Sequence, residues 1–386
     1  MPAGKRTAKR GRSPRKKPGK KRGSKGAQVL FADIHAKRLE PKLTLVAKFE
    51  RLLGRYDLKK MFGGKRTAVK MHLGNNIGFT TIHPIFVSTL VDKLKEAGAD
   101  PFVTDMGFNA KAATRRGYTK EVLGCPVIPA CGLSDNYFVE RKTGAKLLPS
   151  VDIAGEIVEA EAMVDLSHAK GHGNTAFGGA CKNLSMGAVS GRTRRDVHRL
   201  EGGIKWDKVK CVSCGKCVEA CERNALSMND DGTINIFVHN CAYCSHCVLV
   251  CPKGAIRLTD RDIDSFQKGM ALSTREVLRT FEPGHVLYVN VLLNITIFCD
   301  CWGMSTPQLV PDIGIMVSDD IVAVELATLD AIKTENLIDR PLPGGYKLGE
   351  GEHLFQKLHG KDPYVQIREL AKLKLGSSKY EVKEVH

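Results

Sequence analysis

The chain has 386 residues, 59 basic and 42 acidic, for a formal charge of +17; 42% are hydrophobic and 26% charged. That length and apolar content exclude a single mini-domain and provide for two or three packed units. Thirteen cysteines in so long a chain, without an apolar leader, point to a reducing cytoplasm rather than a secreted disulfide scaffold, and no apolar run is long enough to cross a membrane.

Residues 1–26 carry twelve Lys/Arg and no acid, mixed with Gly, Pro and Ser, so without them the remaining charge is only +5. Such a segment buries too little apolar surface to offset the entropy of ordering, and it reads as a disordered basic arm. Lacking aromatics, it suits salt-sensitive, non-specific contact with nucleic-acid phosphates, docking of an acidic redox partner, or solubilisation.

From residue 27 the chain reads as an α/β body with a mixed or parallel sheet. Helical spacing covers Lys42–Lys60, Arg66–Leu73 reads as a strand, Pro84–Ala97 as a helix ended by Gly98, and Pro101–Thr104 as a strand. Asp152–Ala160 is expected to be helical and Ala162–Ser167 extended, followed by a Gly-rich segment over Lys170–Gly191. After a cysteine-dense stretch come a helix at Arg261–Phe281, a β-prone run at His285–Phe298, a strand at Ile313–Val317 and a helix at Ile321–Ile338. The last residues offer a helical patch near Pro363–Leu375 and no catalytic signal. The expected organisation is an arm (1–26), a first part of the body (27–204), an inserted cysteine module (205–258), a second part of the body (259–345) and a C-terminal extension (346–386).

The cysteines of the module form two motifs: Cys211, Cys214, Cys217 and Cys221, then Cys241, Cys244, Cys247 and Cys251, the last followed by Pro252. Both have the C-x2-C-x2-C-x3-C spacing of bacterial two-cluster ferredoxins, in which the fourth cysteine ligates the other cluster. The module is therefore read as an α+β two-cluster bacterial-type ferredoxin unit with two [4Fe–4S] clusters. Cys211, Cys214, Cys217 and Cys251 would hold one, and Cys241, Cys244, Cys247 and Cys221 the other. Glu222 stands where the usual proline would follow Cys221. Structural zinc is the competing occupant, although it favours two separated cysteine pairs. Lys205, Lys208, Lys210 and Lys216 either offset cluster charge or form a solvated rim, and His246 either tunes a sulfur or lies on the surface.

Outside the module, the loop after the strand ending at Ser167 gathers His168, Lys170, His172 and Lys182 among glycines. Loops at the carboxyl ends of strands are where open α/β sheets bind ligands, and Lys with Gly-rich backbone suits a small carboxylate or phosphate. A structural turn is the plainer alternative. Cys299 and Cys301 flank Asp300 just past a β-prone run and read as a metal or redox contact, or as buried structural thiols. His72 and Asp312 are weaker candidates, and Cys125 and Cys131 read as core residues.

Four segments, VKMHLGNNIGFTTIHPIFV, LSHAKGHGNTAFGGACKNLSMG, the paired cysteine motifs and CDCWGMSTPQLVPDIGIMVSDDIVAV, together resemble the domain-of-unknown-function 362 family over roughly residues 66–340. The resemblance implies an α/β body with a ferredoxin module, typical of anaerobes and archaea, and leaves substrate and reaction open. The expected function is an iron–sulfur oxidoreductase relaying electrons through two [4Fe–4S] clusters to a small anionic substrate beside His168, Lys170, His172, Lys182, Cys299 and Cys301. A non-catalytic electron carrier or adaptor on a larger redox enzyme, and a nucleic-acid-associated protein acting through the arm, are the alternatives.

Overall fold

Ala162–His168 (AMVDLSH) and Val286–Leu292 (VLYVNVL) are buried almost end to end, the pattern of strands covered on both faces. They are the middle of an eight-stranded sheet in the computed structural model, which describes residues 26–75, 78–106, 110–221, 223–241, 244–259, 264–302, 307–342 and 346–386. The expected basic arm, apart from Gly26, lies outside the described residues, as do Glu222 and the first residues of the helix expected from Arg261.

The strands of the sheet are β1 (Ala27–Asp33), β2 (Arg66–Met71), β3 (Asp100–Asp105), β4 (Val127–Pro129), β5 (Ala162–His168), β6 (Val286–Leu292), β7 (Gly314–Ser318) and β8 (Tyr380–Glu384). They lie side by side in the order β4-β3-β2-β5-β6-β7-β1-β8. All neighbours are parallel except that β7 runs antiparallel to β6 and β1. The sheet is thus mixed and mostly parallel. From β2 the chain steps outward to β3 and β4, then returns to the other side of β2 as β5, so a switch point lies at the carboxyl ends of β2 and β5.

Helices cover both faces. On one face lie α1 (Leu45–Leu53) and α2 (Pro84–Glu96); on the other lie α3 (Ala180–Gly187), α4 (Ser265–Leu278), α5 (Ile321–Ala331) and α6 (Val365–Lys372). Thr44 caps α1, Pro84 opens α2, and Asp320 accepts the Ala323 N–H to start α5. Strand alternation sends Val164 and Leu166 into the first core and Met163 into the second. Asp165 follows Met163, so a carboxyl group is carried into the apolar α3 side.

Several expected elements are shorter or different. The helix expected over Lys42–Lys60 breaks at Gly54 and resumes at Leu58–Phe62. Asp152–Ala160 begins as a strand, Ser150–Ala154, because Val151 and Ile153 are buried and the backbone pairs with Phe138–Lys142; only Gly155–Glu159 is helical. The β-prone run ends at Leu292, since Asn294 takes a left-handed conformation (φ 46°). The helix expected to Ile338 stops at Ala331. In the C-terminal residues, β8 pairs with β1, while Phe355, Leu358, Ile367 and Leu370 are buried in the core shared with α3–α5.

The cysteine segment has its own small core of Cys217, Leu226, Ile234, Cys247 and Ile256. Ile204–Trp206 pairs with Ile256–Leu258, and Leu226–Met228 with Ile234–Ile236. Arg223 ties this segment to the body by donating to the carbonyls of Lys357 and Leu358 at 3.1 and 2.6 Å.

Gly314 opens β7 at φ +146°, and a Cβ there would strike the Ala32 carbonyl of β1. Gly314→Ala is therefore expected to cost about 3 kcal/mol. Urea unfolding should show it as a lower midpoint at unchanged slope; an unchanged midpoint would contradict this close approach.

Candidate functional site

Two cavities lie in the cysteine segment. Cys211, Cys214, Cys217 and Cys251 line one, with Val212, Ile234 and Ile256. Cys221, Cys241, Cys244 and Cys247 line a second, with Ile204, Arg223 and Leu258. Each takes three cysteines from one motif and the last cysteine of the other. The local backbone repeats as well. Gly215 and Ser245, each following a motif's second cysteine, have φ of 75° and 67°, and each precedes a short helix, Lys216–Glu219 or His246–Leu249, that carries the third cysteine. Asn224 and Gly254 form a second left-handed pair, at 51° and 56°. The N–H groups of Ala225 and Ala255 each donate at 3.2 Å to a sulfur, that of Cys221 or Cys251. Lys205, Lys208, Lys210 and Lys216 are exposed.

A second polar cluster sits at the carboxyl ends of β2, β3 and β5. Lys70 has no exposed surface; its ammonium donates to Asp105 Oδ1 at 2.9 Å and Asn183 Oδ1 at 2.7 Å. Asp105 Oδ2 meets His72 Nδ1 at 2.8 Å and accepts the Leu73 N–H at 3.2 Å. Burial alone would raise the Asp105 pKa, but the charges of Lys70 and His72 outweigh it and hold the carboxyl well below the ordinary aspartate range. His72 Nε2 is buried and meets no hydrogen-bond partner among the described residues. On α3, Asn183 also donates from Nδ2 to Asp165 Oδ1 at 2.5 Å and to the Lys70 carbonyl at 2.9 Å, stitching β2 to β5. Glu325 of α5 caps α3, accepting from the N–H of Ala180 at 2.6 Å, and takes a bond from Asn290 of β6.

Beyond β5 a second buried lysine repeats the arrangement. Lys170 donates to Asp300 Oδ1 at 2.6 Å, to Thr80 Oγ1 at 2.8 Å and to the Thr80 carbonyl at 2.9 Å. His168 reaches Asp300 Oδ2 at 2.9 Å and the Leu293 carbonyl at 2.6 Å. Burial, followed by the neighbouring Lys170 charge, pushes the His168 pKa below its ordinary value. Asp300 would be raised by burial, but Lys170 and His168 together hold it well below the usual carboxylate range. Either side of Asp300, Cys299 and Cys301 are joined as a disulfide. Lys182 Nζ lies 3.1 Å from the Cys299 sulfur and 3.5 Å from that of Cys301. His172 Nε2 is 3.8 Å from the Cys301 sulfur. With the disulfide reduced, His172, Cys299 and Cys301 could hold a metal ion, their ligand atoms all lying within 4.8 Å of one another.

The fold brings all six body residues named from the sequence, His168, Lys170, His172, Lys182, Cys299 and Cys301, into one connected neighbourhood. It gives them unequal parts. His168 and Lys170 are occupied in holding Asp300, whereas Lys182 and His172 face sulfur. His72 belongs to the Lys70–Asp105 group. Asp312 accepts the Asn294 N–H at 2.6 Å and closes a turn. Cys125 and Cys131 are buried. Sequence reasoning missed Lys70, Asp105, Asp165, Asn183 and Glu325. The available signal was a charge inside an otherwise apolar strand, as in Lys70 of RTAVKM and Asp165 of AMVDLSH.

The family described as Domain of unknown function (DUF362) matches residues 67–330. Among solved structures, the lactate racemase apoprotein from Thermoanaerobacterium thermosaccharolyticum aligns with 70% of this chain and 51% of its own, at 11% identity and a TM-score of 0.32. The chain thus spans about half the length of that protein, and so low a likeness carries no argument. No curated protein matches. Among the described residues no helix is long and apolar enough to cross a membrane.

Burial pushes the Asp165 pKa up to about 7, against the hydrogen bonds of Ser167 and Asn183. For a carboxyl raised in this way, the folded state retains a proton that the unfolded state releases near pH 4. Its contribution to stability is complete below that pH and lost as pH rises through about 7. Asp165→Asn, keeping the Oδ1 acceptor, removes that loss. Between pH 5 and 8 the wild type should lose about 2 kcal/mol or more relative to the variant, as measured by urea unfolding; parallel pH profiles would contradict the buried protonated carboxyl.

Proposed function

The chain belongs to the DUF362 family, whose description assigns no reaction, and on that premise we propose that it is an iron–sulfur oxidoreductase. It would deliver electrons through two [4Fe–4S] clusters to a small anionic substrate at the carboxyl edge of the α/β body. One observation carries the reading: eight cysteines sort into two four-cysteine cavities, each completed by the last cysteine of the other motif. That exchange is the ligand arrangement of two-cluster ferredoxins, whereas structural zinc is ordinarily held by two separated pairs. The donor set fits the group, with four thiols and, among the described residues, no competing carboxylate lining each cavity, and backbone N–H groups already directed at Cys221 and Cys251. Cys211, Cys214, Cys217 and Cys251 would hold one cluster, and Cys221, Cys241, Cys244 and Cys247 the other. Bound there, such clusters supply one-electron transfer at a potential set by burial and by hydrogen bonds to sulfur.

The chain's own residues supply the rest. Val209, Val212, Leu249 and Val250 are exposed apolar side chains on and beside the two motifs, which suits a docking redox partner protein. In the body, Lys182 and Arg194 lie within electrostatic reach of each other, and burial, then Arg194, lowers the Lys182 pKa to about 8. Arg194 Nε and His72 Nε2 are buried polar atoms with no partner among the described residues. Two neighbouring cations and open ring or guanidinium nitrogens favour an anion, which would also relieve the repulsion between Lys182 and Arg194. Lys70 and Lys170 are already neutralised by Asp105 and Asp300, and so position the neighbourhood rather than bind substrate.

Full-length protein purified without oxygen and reconstituted is expected to hold about eight iron and eight sulfide per chain, the stoichiometry of two cubanes. Cys214→Ser should lower both to about half while leaving the fold intact by circular dichroism. Zinc at about two per chain with no sulfide would sink the reading.

A further inference from the structure

The disulfide between Cys299 and Cys301 has surroundings that a purely structural bond does not need. The Lys182 ammonium lies 3.1 and 3.5 Å from the two sulfurs, and His172 Nε2 faces that of Cys301 at 3.8 Å. His172 Nδ1 accepts the Asn174 N–H at 3.2 Å. In the neutral ring the proton therefore sits on Nε2, the nitrogen turned to sulfur. With Nδ1 accepting and Nε2 protonated, this imidazole has no lone pair for a metal, and the nearby ammonium repels a cation. Two N–H donors aimed at a sulfur pair instead stabilise thiolate. The carboxylate between the cysteines does not oppose this, because Lys170 and His168 hold both its oxygens.

We propose that Cys299 and Cys301 are a reversible two-electron dithiol–disulfide couple, with Lys182 and His172 as the hydrogen-bond donors at sulfur. On reduction the S–S bond breaks, two electrons enter, and two protons are taken up. One goes to each sulfur, and both come from solvent, which is reached at the half-buried Cys301. Oxidation runs the same steps backwards. The reductant would be a pair of low-potential one-electron centres, and for that source alone the inference rests on the function proposed above: clusters held by the two cysteine sets would supply one electron each. The geometry offers a neighbourly connection. The carbonyl of Gly173, next to His172, accepts from Lys361, and Lys361 lies within electrostatic reach of Cys241 in the second cysteine cavity. Cys301, the more accessible sulfur, would pass reducing equivalents to a disulfide or another two-electron acceptor.

The test uses the full-length chain, equilibrated anaerobically in a series of thiol–disulfide buffers. Differential alkylation and mass spectrometry follow the peptide that holds both cysteines. One two-electron transition is expected within the series, absent from Cys301→Ser. In the reduced protein Lys182→Met should slow alkylation of the pair at pH 7 about tenfold, the effect of a one-unit rise in thiol pKa. A pair that stays wholly reduced or wholly oxidised throughout overturns the proposal. So does zinc that survives exchange into metal-free buffer and is lost in His172→Ala. The transition does not require iron, so an iron-free preparation that still shows it would defeat the preceding reading and leave this one standing.

Discussion

Lys170 is wholly buried, and an unpaired ammonium there would cost several kcal/mol. Asp300 and Thr80 remove that cost, and in doing so they fix much else. Asp300 is drawn down against β5, His168 is clamped between it and the Leu293 carbonyl, and the cysteines on either side are left facing the other way, towards Lys182 and His172. The same device operates one strand over. Lys70 requires Asp105, Asp105 orients His72, and Asn183 extends the network to Asp165. Buried pairs of this kind contribute little net stability, because desolvation offsets most of the attraction. What they contribute here is position, since breaking either pair leaves a stranded charge and so selects one arrangement of loops at the carboxyl edge of the sheet.

The cysteine segment has its own small core, yet it is not loosely attached. Arg223, which lines the second cysteine cavity, donates to three carbonyls of the C-terminal residues, those of Lys347, Lys357 and Leu358, and just beyond them His359 bonds the Ile297 carbonyl and Lys361 that of Gly173, next to His172. A segment without recognisable chemistry thus bridges the cysteine cavities and the polar edge of the body. Burial presses the Lys361 pKa down to about 8 and that of His359 to about 3, so at neutral pH the junction holds a neutral ring beside the Lys361 and Arg223 cations.

The sequence disclosed the parts whose spacing is dictated by local chemistry. The eight cysteines stand out because they recur at short, regular intervals, and the strand–helix–strand rhythm around Pro84–Ala97 is visible because each period is local. The polar edge was only half legible. His168, Lys170, His172 and Lys182 declared themselves in a glycine-rich loop, but Asp105 and Asn183 acquire meaning only when parallel strand order brings residues more than 30 positions apart to one edge. Lys70 and Asp165 were hidden by the alternation rule itself, which assigns a charge in a strand to solvent; in a sheet covered on both faces that assignment fails. The helix expected at Asp152–Ala160 failed for a related reason, since hairpin pairing outweighed local spacing. The C-terminal residues looked peripheral because β8 pairs with β1 from the far end of the chain.

The central claim is that the crossed cysteine sets hold iron clusters. X-ray absorption at the iron edge, on full-length protein prepared without oxygen, tests it most directly. The account predicts a sulfur shell around iron together with a strong iron–iron shell, both weakened in a variant lacking Cys251. Iron surrounded by sulfur with no second metal neighbour, or a zinc edge with four sulfurs in its place, would contradict it.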